Sequence, residues 1–145
     1  MQPWLLRIPA PGVGEIAISS YFFWMLLGCV LAVEIAVREA RRSGESPRAI
    51  LRLSGLAILG GLVGARVLHV VAVAPGAYLA DPLRLLRVWE GGMVFYGGFL
   101  GGLAVVFAWS RLHGPSFGRL GDVFAAPLMM GLAFGRIGCL SAGCC

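Results

Sequence analysis

Lysine is absent from this chain and acidic residues are sparse, so the twelve basic side chains are all Arg, set against seven Asp and Glu. Charged residues make up only 13% of the sequence, about half the share usual in soluble domains. Apolar residues make up 59% of the 145 positions, more than one small core hides from water. An ordinary soluble domain is thereby excluded. The paired CxxC spacing of a zinc site is also missing: Cys29, Cys139, Cys144 and Cys145 match none of the usual ligand patterns, and disulfide scaffolds belong to small, cysteine-dense secreted chains. No metal and no cofactor are expected. The 22 Gly lack a G-X-Y period and sit among Leu, Val, Ala and Phe, which excludes collagen and disorder. The Arg residues lie between or inside apolar runs instead of clustering on a polar face, so no nucleic-acid partner is expected. A genome that favours Arg codons explains the Arg-only usage as well as selection for bidentate phosphate contacts does.

What is present is a series of long apolar runs. Ile16 to Val33 is an 18-residue stretch without a charge, close to the roughly 20 residues a helix needs to cross a bilayer. A cleaved signal peptide is not expected there, because only Arg7 precedes the run and no A-x-A site follows it. Residues 38 to 52 carry five Arg and two Glu around a Ser-Gly-Glu-Ser-Pro turn and read as a loop. Leu53 to Ala74 makes a second span, interrupted by Arg66 and His69 and closed by Pro75. Gly76 to Glu90 spaces Leu79, Leu83, Leu86 and Trp89 beside Arg84 and Arg87, the pattern of a helix lying in the interface plane. Gly91 to Ser110 is a third span, Arg111 to Gly121 a polar Gly/Pro loop, and Val123 to Cys145 a fourth span containing Arg136. The fold expected is an all-α integral membrane protein of about four transmembrane helices, with an outward-facing interfacial helix between spans two and three, as a single transmembrane domain over residues 1–145. The Gly60-Gly61-x-x-Gly64 and Gly97-Gly98-x-x-Gly101-Gly102 patches let helices approach closely where lipid removes the hydrophobic drive.

Few residues inside these runs can carry chemistry. Arg136 is the first, since a charge at the centre of a lipid-exposed helix costs about 2.5 to 3.5 kcal/mol on the insertion scale. Gly135 and Gly138 flank it and leave room for a headgroup or a backbone. The alternative is a helix-locking ion pair with Asp122 or Glu34, or a side chain that snorkels to the interface. Arg66 and His69 lie three apart on one helical face, either as a phosphate and proton-transfer pair or as a polar seam between helices. Trp89 reads as an interfacial anchor, Glu90 as a base or a helix cap. Tyr21 and Tyr96 are hydroxyl donors or packing residues. The Cys139-x4-Cys144-Cys145 cluster reads better as apolar filler than as a redox site.

Taken together, several segments resemble the bacterial prolipoprotein diacylglyceryl transferase family. The run from Tyr78 through Trp89-Glu90-Gly91-Gly92-Met93-Val94-Phe95-Tyr96-Gly97-Gly98 to Gly102 is similar to its signature region. Ile18-Ser-Ser-Tyr21, Gly60-Gly-Leu-Val-Gly-Ala-Arg66 and Asp122 followed by Gly135-Arg-Ile-Gly138 agree in order, so the likeness covers essentially the whole chain. The resemblance implies transfer of a diacylglyceryl group from phosphatidylglycerol to the lipobox cysteine of a preprolipoprotein signal peptide, forming a thioether and releasing glycerol phosphate at the bacterial cytoplasmic (inner) membrane. It implies catalytic roles for Arg136, Tyr96 and Tyr21, and a headgroup site drawn from Arg136, Arg66, His69, Glu90, Gly97, Gly98, Gly135 and Gly138, among surrounding membrane lipid. The attacking sulfur belongs to the substrate. The family commonly has His where this chain has Tyr96, and Asn where it has Cys139; its members also continue through further spans, so the chain is expected to be the N-terminal part of a longer multi-span protein. The contrasting class is a non-catalytic paralogue that binds anionic lipid, or a small transporter subunit, although no inverted repeat is evident.

Orientation follows from the Arg count. Seven Arg (38, 41, 42, 48, 52, 111, 119) lie in the loops after spans one and three, against three (7, 84, 87) on the other side, which places the first set in the cytoplasm and the N-terminus outside. A cysteine introduced at Ser43 should therefore stay unreactive to an impermeant thiol reagent in intact spheroplasts. Labelling from outside would overturn the assignment.

Overall fold

The computed structural model describes residues 4–10, 14–72 and 94–143, with those up to Ser20, and Ala142, described through their backbone alone. Two antiparallel strands, β1 (Trp4–Ala10) and β2 (Gly14–Ser19), precede four helices: α1 (Ser20–Arg42), α2 (Pro47–Ala72), α3 (Phe95–His113) and α4 (Phe117–Ala142). Each helix is long and apolar enough to cross a membrane. The interfacial helix expected over 76–90, together with Glu90, Cys144 and Cys145, lies outside the described residues.

The hairpin corrects the first expected span. Ile16 to Ser19 belong to β2, pairing Ile16 with Ile8 and Ile18 with Leu6, and the helix instead runs on from Ser20 to Arg42. A short apolar run reads the same in a strand as in a helix until its partner is known. The expected loop over 38–52 shrinks to four residues for a local reason. Gly44 adopts a positive φ of 74°, and the Glu45 N–H donates to the Ala40 carbonyl at 2.9 Å, which closes α1 in a Schellman turn. Pro47 then opens α2 at the first helical position, where a missing N–H costs nothing. The expected 111–121 loop likewise shortens. Gly114 ends α3 with φ 92°, and Ser116 caps α4 by accepting from the Arg119 N–H at 3.4 Å. Residues 117–121, read as loop because of their glycines, are therefore helical. Within α4, Pro127 has no N–H to give the carbonyl of Val123.

Two compact units result: residues 1–47 with 121–145, and residues 48–120. In the second unit α2 and α3 run antiparallel and meet through glycine. A Cβ placed on Gly64 would overlap the Gly97 carbonyl oxygen, one on Gly101 the Gly60 carbonyl, and one on Gly60 the Val105 side chain. The close helix approach expected of the glycine patches is thus made, and the structure adds that the two patches are each other's partners. A methyl at Gly64, Gly97 or Gly101 would press on the facing backbone, so these positions hold the two helices close. In the first unit α1 packs antiparallel on α4, where a Cβ on Gly28 would come within 2.6 Å of Phe134 Cβ and the Trp24 and Phe134 rings lie 6.1 Å apart.

Gly55 offers an internal control for the glycine contacts, since a Cβ there meets nothing within 4 Å. In detergent, Gly64→Ala should lower unfolding stability by about 1 to 3 kcal/mol through overpacking. Gly55→Ala should leave stability level or raise it by up to about 1 kcal/mol through helix propensity. Equal effects of the two substitutions would contradict the packing.

Candidate functional site

The candidate residues divide between the two units. In the first unit Tyr21 lies on the opening turn of α1, and Gly138, which is buried, meets it: a Cβ on Gly138 would stand 3.1 Å from Tyr21 Cδ2 and 3.4 Å from the Tyr21 carbonyl oxygen. Tyr21 is half-buried and partnered. Arg136 is exposed, two residues earlier on α4. At about 100° per residue, that separation puts Arg136 some 160° round the helix from Gly138. The structure therefore brings Tyr21 to Gly138 and turns Arg136 away from α1.

Neither expected carboxylate holds Arg136. Glu34 accepts from Arg38 Nε at 2.9 Å within α1. It is also displaced along the helix: Trp24 lies level with Gly138 and Gly28 level with Phe134, so Glu34 is about 12 Å farther along the axis than the level of Arg136. Asp122 sits about 21 Å down the axis of α4 itself, and among the described residues it forms no ion pair. An intrahelical pair such as Glu34–Arg38, 54% and 68% exposed, contributes little to stability.

In the second unit Arg66 is the buried cation, 6% exposed, and both it and His69 are partnered. The start of α3 is stitched to this turn of α2, with the Val94 N–H donating to the Ala65 carbonyl at 3.2 Å. A Cβ on Gly97 would come within 2.6 Å of Leu68 Cβ and 3.0 Å of Ala65 Cα, and one on Gly98 within 3.4 Å of the Gly61 carbonyl. Gly97 and Gly98 are thus occupied in helix contact around Arg66. Tyr96 is 71% exposed, its ring edge-on to Phe95 at 5.9 Å. Gly135 has open space where a Cβ would go. The Val94–Ala65 bond was not legible beforehand, since a main-chain contact between helices leaves no side-chain signal.

Arg66 and Arg136 each stand six residues before the end of their helix, Ala72 and Ala142, roughly 9 Å along the axis. A guanidinium at that depth offers a planar fork of donors matched to a phosphate or carboxylate. Among the described residues no three His, Cys, Asp or Glu converge as metal ligands.

Residues 10–145 match the family model described as prolipoprotein diacylglyceryl transferase. Three curated relatives named phosphatidylglycerol--prolipoprotein diacylglyceryl transferase are similar to this chain. The protein of Azoarcus sp. (strain BH72) is 39% identical over 111 residues, 74% of this chain and 42% of the relative. That of Solidesulfovibrio magneticus is 40% identical over 110 residues, again 74% and 42%. That of Escherichia coli (strain K12 / DH10B) is 35% identical over 107 residues, 72% and 37%. The chain spans about two-fifths of the length of these relatives.

The ion-pair geometry yields a direct test of what Glu34 does. Glu34→Gln should change unfolding stability by less than about 1 kcal/mol, because it removes only an exposed intrahelical pair. A loss of several kcal/mol would mean that Glu34 compensates a buried cation instead.

Proposed function

The chain belongs to the prolipoprotein diacylglyceryl transferase family, and on that premise we propose that it serves transfer of a diacylglyceryl group from phosphatidylglycerol to the lipobox cysteine of a preprolipoprotein. The observation that carries this reading is Arg136: an exposed cation near the end of an apolar helix, met by neither Glu34 nor Asp122. A lipid phosphate is the anion that such a depth supplies. In the proposal the chain is an integral protein of the bacterial cytoplasmic membrane with its N-terminus outside, so that Arg66 and Arg136 each lie toward the outward end of their own helix.

The chemistry divides simply. The cysteine sulfur attacks the diacylglyceryl carbon next to phosphate; a C–S bond forms, the C–O bond breaks, and its electron pair leaves on glycerol phosphate. Arg136 grips the phosphate in bidentate fashion and stabilises the charge growing on it. Arg66, with His69 beside it, is the second headgroup cation, and Tyr21 orients the headgroup. Tyr96 is assigned to the incoming thiol, whose proton must be taken up; a phenol is a weak base at neutral pH, so a stronger base completes this step. Glu90 and the Gly135 face belong to the headgroup contact in this reading. Since the chain corresponds to about two-fifths of its relatives, activity is proposed for it together with a segment equivalent to their remainder.

In a strain lacking the transferase, residues 1–145 alone should form no thioether above background, and co-expression with the remaining part of a relative should restore it. In that restored system Arg136→Lys should insert normally yet lose at least about tenfold, since an ammonium cannot reproduce the guanidinium fork and charge-assisted bonds are worth about 1.5 to 3 kcal/mol. Full complementation by the Lys variant would show that Arg136 only satisfies helix packing.

A further inference from the structure

The two glycines that flank Arg136 stand in unlike surroundings. A Cβ on Gly135 would meet nothing within 4 Å. One on Gly138 would stand 3.1 Å from Tyr21 Cδ2, 3.4 Å from the Tyr21 carbonyl oxygen and 3.5 Å from Trp24 Cβ. That last group of contacts is tight on the ring and ordinary on the rest, so the side chain that a methyl must move is Tyr21. Gly138 is buried, with Tyr21 and Trp24 against it. Arg136, although only two residues away, points some 160° round the helix, and the open Gly135 position lies between those two directions.

We propose that Gly138 is a positioning residue that acts through Tyr21, seating its ring against α4, and that it is decoupled from its sequence neighbour Arg136. This rests on the headgroup reading of Tyr21 given above. The contact supplies a reason for Gly at this position that differs from the one at Gly135. At Gly138 the missing Cβ admits another helix, whereas at Gly135 it leaves room beside the guanidinium.

Fluorotyrosine incorporated into the full chain in nonionic micelles tests the seat directly, with Tyr21→Phe assigning the resonance. The Tyr21 signal should move in Gly138→Ala and stay in place in Gly135→Ala and Arg136→Lys. A Tyr21 signal unmoved by Gly138→Ala, or moved by Arg136→Lys, overturns the proposal. If Gly138→Ala fails to fold, Tyr21→Leu in the same chain should recover it by removing the ring that the methyl meets; failure of that rescue also overturns it.

Titration with phosphatidylglycerol then reads the coupling. Tyr21→Phe and Gly138→Ala should each weaken apparent affinity about two- to tenfold, the span of one hydrogen bond. Combined, they should lose no more than about twofold beyond the larger single effect, whereas Gly138→Ala and Arg136→Lys should multiply, as independent sites do. Multiplying losses for the Tyr21 pair would contradict the proposal. Absence of any phosphatidylglycerol binding by the unaltered chain would instead count against the headgroup reading, with the fluorine signal still deciding the role of Gly138.

Discussion

A guanidinium keeps its charge at any pH a cell reaches, so an Arg placed within an apolar helix must be met by an anion or by water. This chain has two such residues, and they meet the constraint differently. Arg66 is buried and partnered, next in sequence to the Ala65 carbonyl that accepts from the Val94 N–H at the start of α3. Arg136 is exposed on the side of α4 away from α1, and the two carboxylates best placed by sequence to neutralise it are elsewhere, Glu34 on Arg38 and Asp122 far down the helix. Among the described residues neither carboxylate forms an ion pair with Arg136. The anion of a lipid headgroup fits its depth and its fork of donors.

Glycine sets the frame in which these cations stand. Lipid gives helices no hydrophobic reason to associate, so close backbone approach has to supply the contact. Gly60, Gly64, Gly97 and Gly101 do this reciprocally between α2 and α3, while between α1 and α4 Gly28 makes room for the Phe134 side chain and Gly138 for the Tyr21 ring. The signature glycines of such a chain consequently have two different functions. Some fit helix against helix, as Gly97 does around the Arg66 turn, and some leave space open, as Gly135 does beside Arg136.

Much of this was legible before any coordinates. Charge-free runs of membrane length located the four helices, and the glycine patches pointed to close helix approach, although not to each other as partners. Their boundaries were less legible, for physical reasons. The Ile16 to Ser19 segment is apolar enough for either secondary structure, and only pairing with β1, a partner several residues away, makes it a strand. Gly118 and Gly121 argued for a loop, yet the Ser116 cap and the tertiary setting carry the helix through them. Arg66 and Arg136 stood out in the sequence because a charge inside an apolar run is rare. The division of work between Gly135 and Gly138 was not, since identical residues in one motif differ only in what faces them.

The most direct test of the central claim compares two lipids that differ only in the group Arg136 is said to hold. The full chain, released from micelles containing equal amounts of phosphatidylglycerol and of diacylglycerol with the same acyl chains, can be weighed with its retained lipid by native mass spectrometry. The account predicts preferential retention of phosphatidylglycerol, with the preference falling as salt screens the guanidinium–phosphate attraction. Equal retention of the two lipids, at low and high salt alike, would contradict it.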